Sequence, residues 1–350
     1  MQMTKYAGRL ATALAAATML TAGAATAEEE KVLNIYNWSD YIAEDTIADF
    51  EARTGIKVNY DVFDSNEVLE AKLLAGNTGY DIVVPSASFM ERQIKAGVFQ
   101  KLDKSALSNW GNLDPEIMER VALHDPGNAY SLPLMWGTTG IGYNEAKVAA
   151  ALPDAPVDSY AMLFDPEVVS KLASCGVTLL DSPTEVFSAA LVYLGKDPNS
   201  EDLDDLKAAE AVLAGIRPHI RYIHSSQQIN DLANGEICVA MGWSGDIMIA
   251  ADRADEADNG IEIAYTIPKE GTIIWFDMLA IPNDAPHPGN AHLFIDYLLE
   301  PEVIAAVSNY VYYANPNSAS VEFVEAEILE DPGIYPTPEV KAKLFPDLSH

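Results

Sequence analysis

The chain of 350 residues carries 53 acidic residues against 21 lysines and arginines, a formal net charge of −32 at pH 7. Such a charge excludes a nucleic-acid or anionic-membrane binder and favours cationic partners, although acidity can also serve solubility alone. The length predicts two domains, and the hydrophobic fraction of 49% is sufficient for packed cores.

The N-terminal 27 residues read as a signal peptide. Lys5 and Arg9 supply the positive start, an apolar run follows over residues 10–20, and Ala25-Thr26-Ala27 provides a small-residue cleavage site. The apolar run is too short for a membrane-spanning helix. We therefore expect cleavage after Ala27 and an exported protein, with a retained N-terminal anchor as the alternative.

The next segments alternate between strands and helices. The predicted strands are residues 32–38, 56–62 and 80–84, and the predicted helices are residues 44–54, 67–74 and 89–95. This βαβαβ order predicts a mostly parallel sheet covered by helices. Ligands bind beyond the carboxyl ends of such strands, where the cluster 37–41 and Ser86 lie.

A second α/β pattern follows. Its predicted strands are residues 177–180, 237–242, 261–267 and 273–281, with a short element at 221–224, and its predicted helices are residues 185–194, 203–216, 228–234, 291–299 and 301–309. Two crossings between the domains are expected, near residues 134–138 and 247–252. The glycine-rich stretch 137–142 lacks the strand–glycine–helix context of a dinucleotide site and is interpreted as a hinge.

The two cysteines are Cys175 and Cys238. In an oxidising compartment they can form a disulfide, with two separate buried thiols as the alternative. Their spacing does not suggest metal binding or redox catalysis.

Four acids lie at predicted strand or loop ends beside aromatic residues: Asp40, Glu185, Asp246 and Asp277. A polyamine is an apolar chain with an ammonium group at each end. Carboxylates can pair with its charges, and aromatic faces can cover its methylenes and add cation–π attraction. Each pairing alone is weak evidence, but four in one acidic exported chain indicate a site for a cationic ligand.

Several motifs, in order along nearly the whole mature chain, resemble the putrescine/spermidine periplasmic binding proteins of ABC transporters. They are Tyr-Asn-Trp-Ser-Asp-Tyr (36–41), Tyr-Asp-Ile-Val-Val-Pro-Ser (80–86), the stretch 132–144, the stretch 224–232, Gly-Trp-Ser-Gly-Asp (242–246), Ile-Pro-Lys-Glu-Gly (267–271) and Tyr-Tyr-Ala-Asn-Pro-Asn (312–317).

The resemblance implies an α/β, two-lobed, type II-like periplasmic binding protein with a hinge between its lobes. Residues 28–135 and about 253–315 would form the first lobe, and residues 136–252 and about 316–350 the second. The implied ligand-binding residues are Trp38, Ser39, Asp40, Tyr41, Ser86, Glu185, Trp243, Asp246, Trp275, Asp277 and Tyr313. Asp246 and Glu185 would hold the two ends of the ligand, Asp277 a further amine, and Trp38 and Trp243 would sandwich the chain.

The resemblance also implies a location and partners. We expect a periplasmic monomer that passes a polyamine to an inner-membrane ABC permease, without a cofactor, a metal, nucleic acid or enzymatic activity. Trp275 favours spermidine over putrescine, because family members that prefer spermidine carry Trp at this position and those that prefer putrescine carry Phe.

Two other classes of protein were weighed against this one. Tyr312 and Tyr313 suggest a ferric-ion binding protein, although strand alternation would point the two rings to opposite faces. Glu185 and Asp277 could serve a hydrolase as acid and base, but no GxSxG or HExxH motif accompanies them.

Overall fold

The computed structural model describes residues 29–346 and 348. The predicted signal peptide, residues 1–27, lies outside the described residues. Within the described part of the chain, none of the helices combines the length and apolarity needed to cross a membrane.

The described chain alternates between strands and helices, as predicted. The strands are β1 (Val32–Trp38), β2 (Lys57–Phe63), β3 (Ile82–Val83), β4 (Ser131–Asn144), β5 (Val177–Leu179), β6 (Ile220–Ile223), β7 (Val239–Trp243), β8 (Ile263–Thr266), β9 (Thr272–Ala280) and β10 (Leu344–Pro346). The helices are α1 (Thr46–Thr54), α2 (Asn66–Ala75), α3 (Ala87–Lys95), α4 (Pro115–Val121), α5 (Glu145–Ala151), α6 (Ala161–Phe164), α7 (Pro166–Leu172), α8 (Pro183–Tyr193), α9 (Leu203–Ile216), α10 (Gln227–Ala233), α11 (Ser244–Glu256), α12 (Pro288–Leu298), α13 (Pro301–Val311), α14 (Ala326–Glu330) and α15 (Pro338–Lys341).

The strands form one sheet in the order β2-β1-β3-β9-β4-β7-β5-β6, with β10 beside β9 and β8 beside β4. The outer strands of each half pair in parallel, as the βαβ pattern predicts. The two long central strands, β4 and β9, run antiparallel to each other and to their neighbours β3, β7 and β8. The expected α/β fold is confirmed, and its centre is antiparallel where a mostly parallel sheet was expected.

Separate hydrophobic cores define two lobes. The first core contains Leu33, Ile82 and Phe294, and the second contains Val177 and Leu191. Segment 324–334 packs into the first core, and segment 254–265 packs beside the second lobe's strands. The lobe boundaries after residue 252 therefore differ from the predicted ones. Segment 254–265 belongs with the second lobe and segment 324–334 with the first, because their side chains pack into those cores.

The lobes are joined by β4 and β9. Ser131–Thr138 pairs with β9, after which Thr139–Tyr143 pairs with β7 of the second lobe. The predicted crossing at residues 134–138 is therefore confirmed. The predicted crossing at 247–252 is wrong, because these residues lie inside α11 and bury Ile247, Ile249 and Ala250 against the second lobe.

Cys175 and Cys238 form a disulfide within the second lobe, with 5.4 Å between their Cα atoms. Of the two alternatives that the sequence left open, the bonded pair is the one observed. The disulfide ties the start of β5 to the strand β7 that pairs with it.

Candidate ligand-binding site

A narrow cavity of about 40 Å³ lies between the lobes, where the carboxyl ends of the strands meet. Its lining contains four carboxylates and no Lys, Arg or His side chain. The lining residues are Trp38, Ser39, Tyr41, Phe63, Asp64, Asn66, Ser86, Phe89, Ser182, Thr184, Glu185, Ser225, Ser226, Ile229, Trp243, Asp246, Ile273, Trp275, Asp277 and Tyr313. Ten of the eleven predicted site residues are therefore brought together; Asp40 is not among them.

Strand ends place the first-lobe part of this lining. Trp38 ends β1 and Phe63 ends β2, and these two strands pair in register up to those residues. The indole Nε1 of Trp38 donates to the backbone oxygen of Val84 at 2.8 Å, which fixes its ring on the cavity wall. Ser39 follows, and its hydroxyl donates to the backbone oxygen of Phe63 at 3.3 Å.

Asp277 is a buried carboxyl on β9. A short antiparallel bridge between Ser86 and Asp277 brings the two residues together. The Ser86 hydroxyl donates to Oδ1 at 2.6 Å, and the Tyr41 hydroxyl donates to Oδ2 at 2.8 Å. Burial raises the pKa of Asp277 to about 7, against the opposing effect of these two hydrogen bonds. Among the described residues that line the cavity, no Lys, Arg or His side chain pairs with this carboxyl.

Asp246 is equally buried and lies in the first turn of α11. The Tyr313 hydroxyl donates to its Oδ1 at 2.7 Å and accepts from the Asp246 backbone N–H at 3.1 Å. Burial is the main cause that raises the pKa of Asp246 to about 7, and the charges of Asp40 and Asp277 add to it. A cation placed here would relieve both the burial and the repulsion.

Glu185 occupies the first turn of α8, in the second lobe. Its carboxylate accepts from the Trp243 Nε1 at 3.1 and 3.2 Å and from the Thr139 hydroxyl. Glu185 and Asp246 thus both lie at helix N-termini, where the helix dipole favours a negative charge. The second lobe presents two carboxylates to the cavity.

The rings of Trp38 and Trp243 meet edge to face, with centroids 5.5 Å apart and an interplanar angle of 73°. The two indoles that are predicted to sandwich the ligand chain contact each other directly in this structure. Each ring covers one part of the cavity wall, Trp38 against Phe63 and Trp243 beside Glu185.

Trp275 and Tyr313 form a second aromatic pair, with centroids 5.4 Å apart. Gly137 on β4 makes room for Trp275, since a Cβ at Gly137 would lie 2.8 Å from the indole ring. Gly245 likewise leaves room for the ring of Tyr313, which a Cβ at this position would contact. Gly137, in the stretch interpreted as a hinge, and Gly245, in the first turn of α11, thus both admit aromatic side chains to the cavity.

Asp40 is not among the residues that line the cavity. Its carboxylate accepts from Arg253 Nη2 at 2.7 Å, so that an ion pair joins the first lobe to α11 of the second. Asp40 adopts a left-handed conformation with φ of 52°, which turns its side chain out of the strand-end cluster.

Sequence reasoning missed ten of the lining residues. They include Phe63, Asp64, Asn66, Phe89, Ser182, Thr184, Ser225, Ser226, Ile229 and Ile273. Phe63 and Asp64 could have been found, because they follow the predicted second strand as Ser39 follows the first. The contribution of Asn66 depends on how α2 packs against α3, whose N-cap is Ser86, and no local pattern reveals this packing.

Tyr312 and Tyr313 point to different surroundings. Tyr313 lies in the cavity, whereas Tyr312 ends α13 in a left-handed conformation and its hydroxyl is bonded to Asp252. Among the described residues, no group of three or more His, Cys, Asp or Glu side chains could hold a metal ion.

A cleft between two α/β lobes joined by β-strands, with polar and aromatic residues from both lobes, defines a two-lobed solute receptor. Residues 45–337 match the family of bacterial extracellular solute-binding proteins. The chain is 58% identical over 334 residues to the putrescine-binding periplasmic protein PotF of Escherichia coli K12, covering 95% of this chain and 90% of that protein. It is 56% identical over 330 residues to the putrescine-binding periplasmic protein SpuD of Pseudomonas aeruginosa UCBPP-PA14, covering 93% and 90%.

Among solved structures, the fold is similar to a spermidine/putrescine ABC transporter protein of Listeria monocytogenes. The TM-score is 0.81 and the identity 36%, over 91% of this chain and 93% of that one. The chain belongs to the bacterial extracellular solute-binding protein family. These relatives confirm the resemblance to polyamine periplasmic binding proteins. They also confirm the expected class, a receptor rather than an enzyme, and the periplasmic location.

Proposed function

We propose that the chain captures a linear polyamine with an ammonium group at each end and delivers it to an ABC permease. The observation that carries this proposal is the cavity itself: its described lining has four carboxylates, five aromatic rings from Trp and Tyr, and no cationic side chain. A buried carboxylate without a cation is costly, and a ligand with two ammonium groups supplies the missing charges.

The acids lie on two sides of the cavity. Asp277 belongs to the first lobe, and Asp246 and Glu185 belong to the second. Asp246 and Glu185 would hold the two ends of the ligand, as the sequence motifs imply, and Asp277 would accept from an amine near Tyr41 and Ser86. Trp38, Trp243 and Trp275 would cover the methylenes, and Ser39 and Tyr313 would complete the polar wall.

The identity of the polyamine rests on two opposing arguments. Trp275 favours spermidine by the family pattern, whereas the relatives that are 58% and 56% identical are named for putrescine. We therefore propose that putrescine binds at least as tightly as spermidine.

Capture would proceed by hinge closure of a monomer. Contacts between the lobes, such as Asp40–Arg253 and Tyr313–Asp246, form only when the lobes meet. Closure also excludes water from the ammonium–carboxylate pairs and so strengthens them. The closed form would then be the state that the permease receives.

Calorimetric titration of ligand-free mature protein tests this proposal. Putrescine and spermidine should both bind with sub-millimolar or tighter affinity, with putrescine equal or tighter. Arginine, which carries a carboxylate that the cavity cannot pair, and ferric citrate should give no heat of binding. If neither polyamine gives a heat of binding, the proposal is overturned. If spermidine binds more tightly than putrescine, only the proposed ligand preference is overturned.

A further inference from the structure

Asn66, at the start of α2, holds Ser86 at two points. Its Oδ1 accepts from the backbone N–H of Ser86 at 3.0 Å, and its Nδ2 lies 2.9 Å from the Ser86 hydroxyl oxygen. A backbone N–H requires an acceptor, so the first contact fixes which end of the amide is the oxygen. The amide nitrogen therefore faces the hydroxyl, and it can only donate to it.

The Ser86 hydroxyl must direct its single proton elsewhere. Asp277 Oδ1 lies 2.6 Å away and accepts it, while Tyr41 donates to the other oxygen at 2.8 Å. Asp277 is thus the acceptor in both of these bonds. Its remaining lone pairs are available to an N–H donor in the cavity.

We propose that Asn66 is a positioning residue for ligand capture, which directs the hydroxyl proton of Ser86 onto Asp277 and so keeps Asp277 an acceptor for an ammonium group. The inference rests on the proposed function, which supplies the ammonium group. Asn66 acts through Ser86, and its effect on Asp277 should vanish when the Ser86 hydroxyl is removed.

The surroundings of Asp277 give this arrangement its importance. The titratable groups that face it are Tyr41, Tyr313 and Asp246, and none of these supplies a positive charge. Burial therefore favours the protonated carboxyl, which would donate to Ser86 and would carry no negative charge to pair with an ammonium group. Two directed hydroxyl donors favour the ionised carboxyl instead, and the bond from Ser86 is one of the two that lower the pKa of Asp277.

The arrangement can be disturbed without unfolding the lobe. Asn66 is the first residue of α2, whose N-cap Ser65 accepts from the backbone N–H of Val68 independently. Alanine is a good helix former, so Asn66→Ala should preserve α2. The four residues of this hydrogen-bond network all lie on the first-lobe side of the cleft: Asn66, Ser86, Tyr41 and Asp277. The network therefore does not require contacts with the second lobe.

The first test measures Asp277 itself, without ligand. The pH titration of its carboxyl carbon is followed by NMR in the wild type, Asn66→Ala, Ser86→Ala and the double variant, with Asp277→Asn assigning the signal. Asn66→Ala and Ser86→Ala should each raise the midpoint by half a pH unit or more, and the double variant should match Ser86→Ala. An unmoved midpoint in Asn66→Ala, or shifts that add in the double variant, would overturn the role of Asn66.

The second test measures putrescine affinity at pH 6 and pH 8. Asn66→Ala should weaken binding at least about twofold more at pH 6 than at pH 8, because a larger share of Asp277 then holds a proton that the ligand must displace. Asn59→Ala is the matched control, since Asn59 makes a single exposed side-chain bond to Asn34 in the same lobe. Equal weakening at both pH values would indicate a purely structural role and contradict the proposal. If the wild type binds no polyamine, the proposed function is overturned. The NMR titration would still test whether Asn66 acts on Asp277 through Ser86.

Discussion

The guanidinium of Arg253 donates to the carboxylate of Asp40 across the cleft, with 2.7 Å between Nη2 and Oδ1. Asp40 follows β1 of the first lobe, and Arg253 lies in the last turn of α11 of the second. The pair lies outside the cavity lining, so it contributes to closure rather than to ligand contact. Both side chains are about one-third exposed, at 33% and 39%, which limits the strength of the pair.

Asp40→Asn should weaken putrescine binding by up to about fivefold, since a partly exposed ion pair contributes roughly 1 kcal/mol at most. Arg253→Gln should then have little further effect in the Asp40→Asn background, as calorimetry of the double-mutant cycle would show. Arg53→Met is the control, because Arg53 pairs with Glu300 within the first lobe and should leave affinity unchanged. Tighter binding by Arg253→Gln alone would contradict the role of the pair in closure.

The buried acids predict a pH dependence of the ligand-free closed protein. Burial raises the pKa of Asp246 and of Asp277 from 3.8 to about 7. Between about pH 4 and pH 7 the folded protein therefore holds protons that the unfolded chain has lost, so these groups lower the free energy of unfolding as pH rises. The free energy of unfolding is measured in urea at pH 5, 6, 7 and 8 for the wild type and for the double variant Asp246→Asn/Asp277→Asn. The wild-type value minus that of the variant should fall as pH rises. A difference that is constant with pH would contradict the assignment.

Trp275 provides the test of ligand selectivity. Trp275→Phe should weaken spermidine more than putrescine, because the smaller ring covers less of the longer chain, and a change of about 1–3 kcal/mol corresponds to roughly 5- to 150-fold. Affinities for both ligands are measured by calorimetry. Trp110→Phe, outside the cavity, should leave the ratio unchanged. An unaltered ratio in Trp275→Phe would show that this position does not set the preference.

The disulfide should contribute to stability without affecting ligand capture. Cys175 and Cys238 are 63 residues apart in sequence, and a loop of this length corresponds to about 4 kcal/mol of stabilisation. The variant Cys175→Ser/Cys238→Ser should lose free energy of unfolding of that order in urea titrations, with putrescine affinity within about twofold of wild type. A large loss of affinity with unchanged stability would reverse this interpretation.

The periodicity of the sequence predicted most of the outer strands and helices. The strand 32–38 and the helix 203–216 have the predicted bounds, because alternating or helical apolar spacing with clear stop residues specifies them locally. The fourteen-residue β4 was missed, since its glycines and proline resemble a loop. Only pairing with β9 and β7 makes this segment a strand, and such pairing is non-local.

The candidate site was predicted in the same uneven way. Strand-end positions such as Trp38 and Ser86, and the acids Glu185, Asp246 and Asp277, were recovered because their chemistry and position agree. Asp40 lies outside the cavity lining although its sequence neighbours Ser39 and Tyr41 belong to it, and its own backbone is left-handed. Asn66 was missed because its contact with Ser86 spans 20 residues and depends on tertiary packing.

The most direct test of the central claim, that carboxylates hold both ends of the ligand, compares three chains of equal length by calorimetry. Putrescine carries two ammonium groups, 1-aminobutane one, and 1,4-butanediol none. An unpaired buried carboxylate costs several kcal/mol, so 1-aminobutane should bind roughly 100-fold or more weakly than putrescine, and the diol should not bind. Binding of 1-aminobutane within about threefold of putrescine would contradict the account.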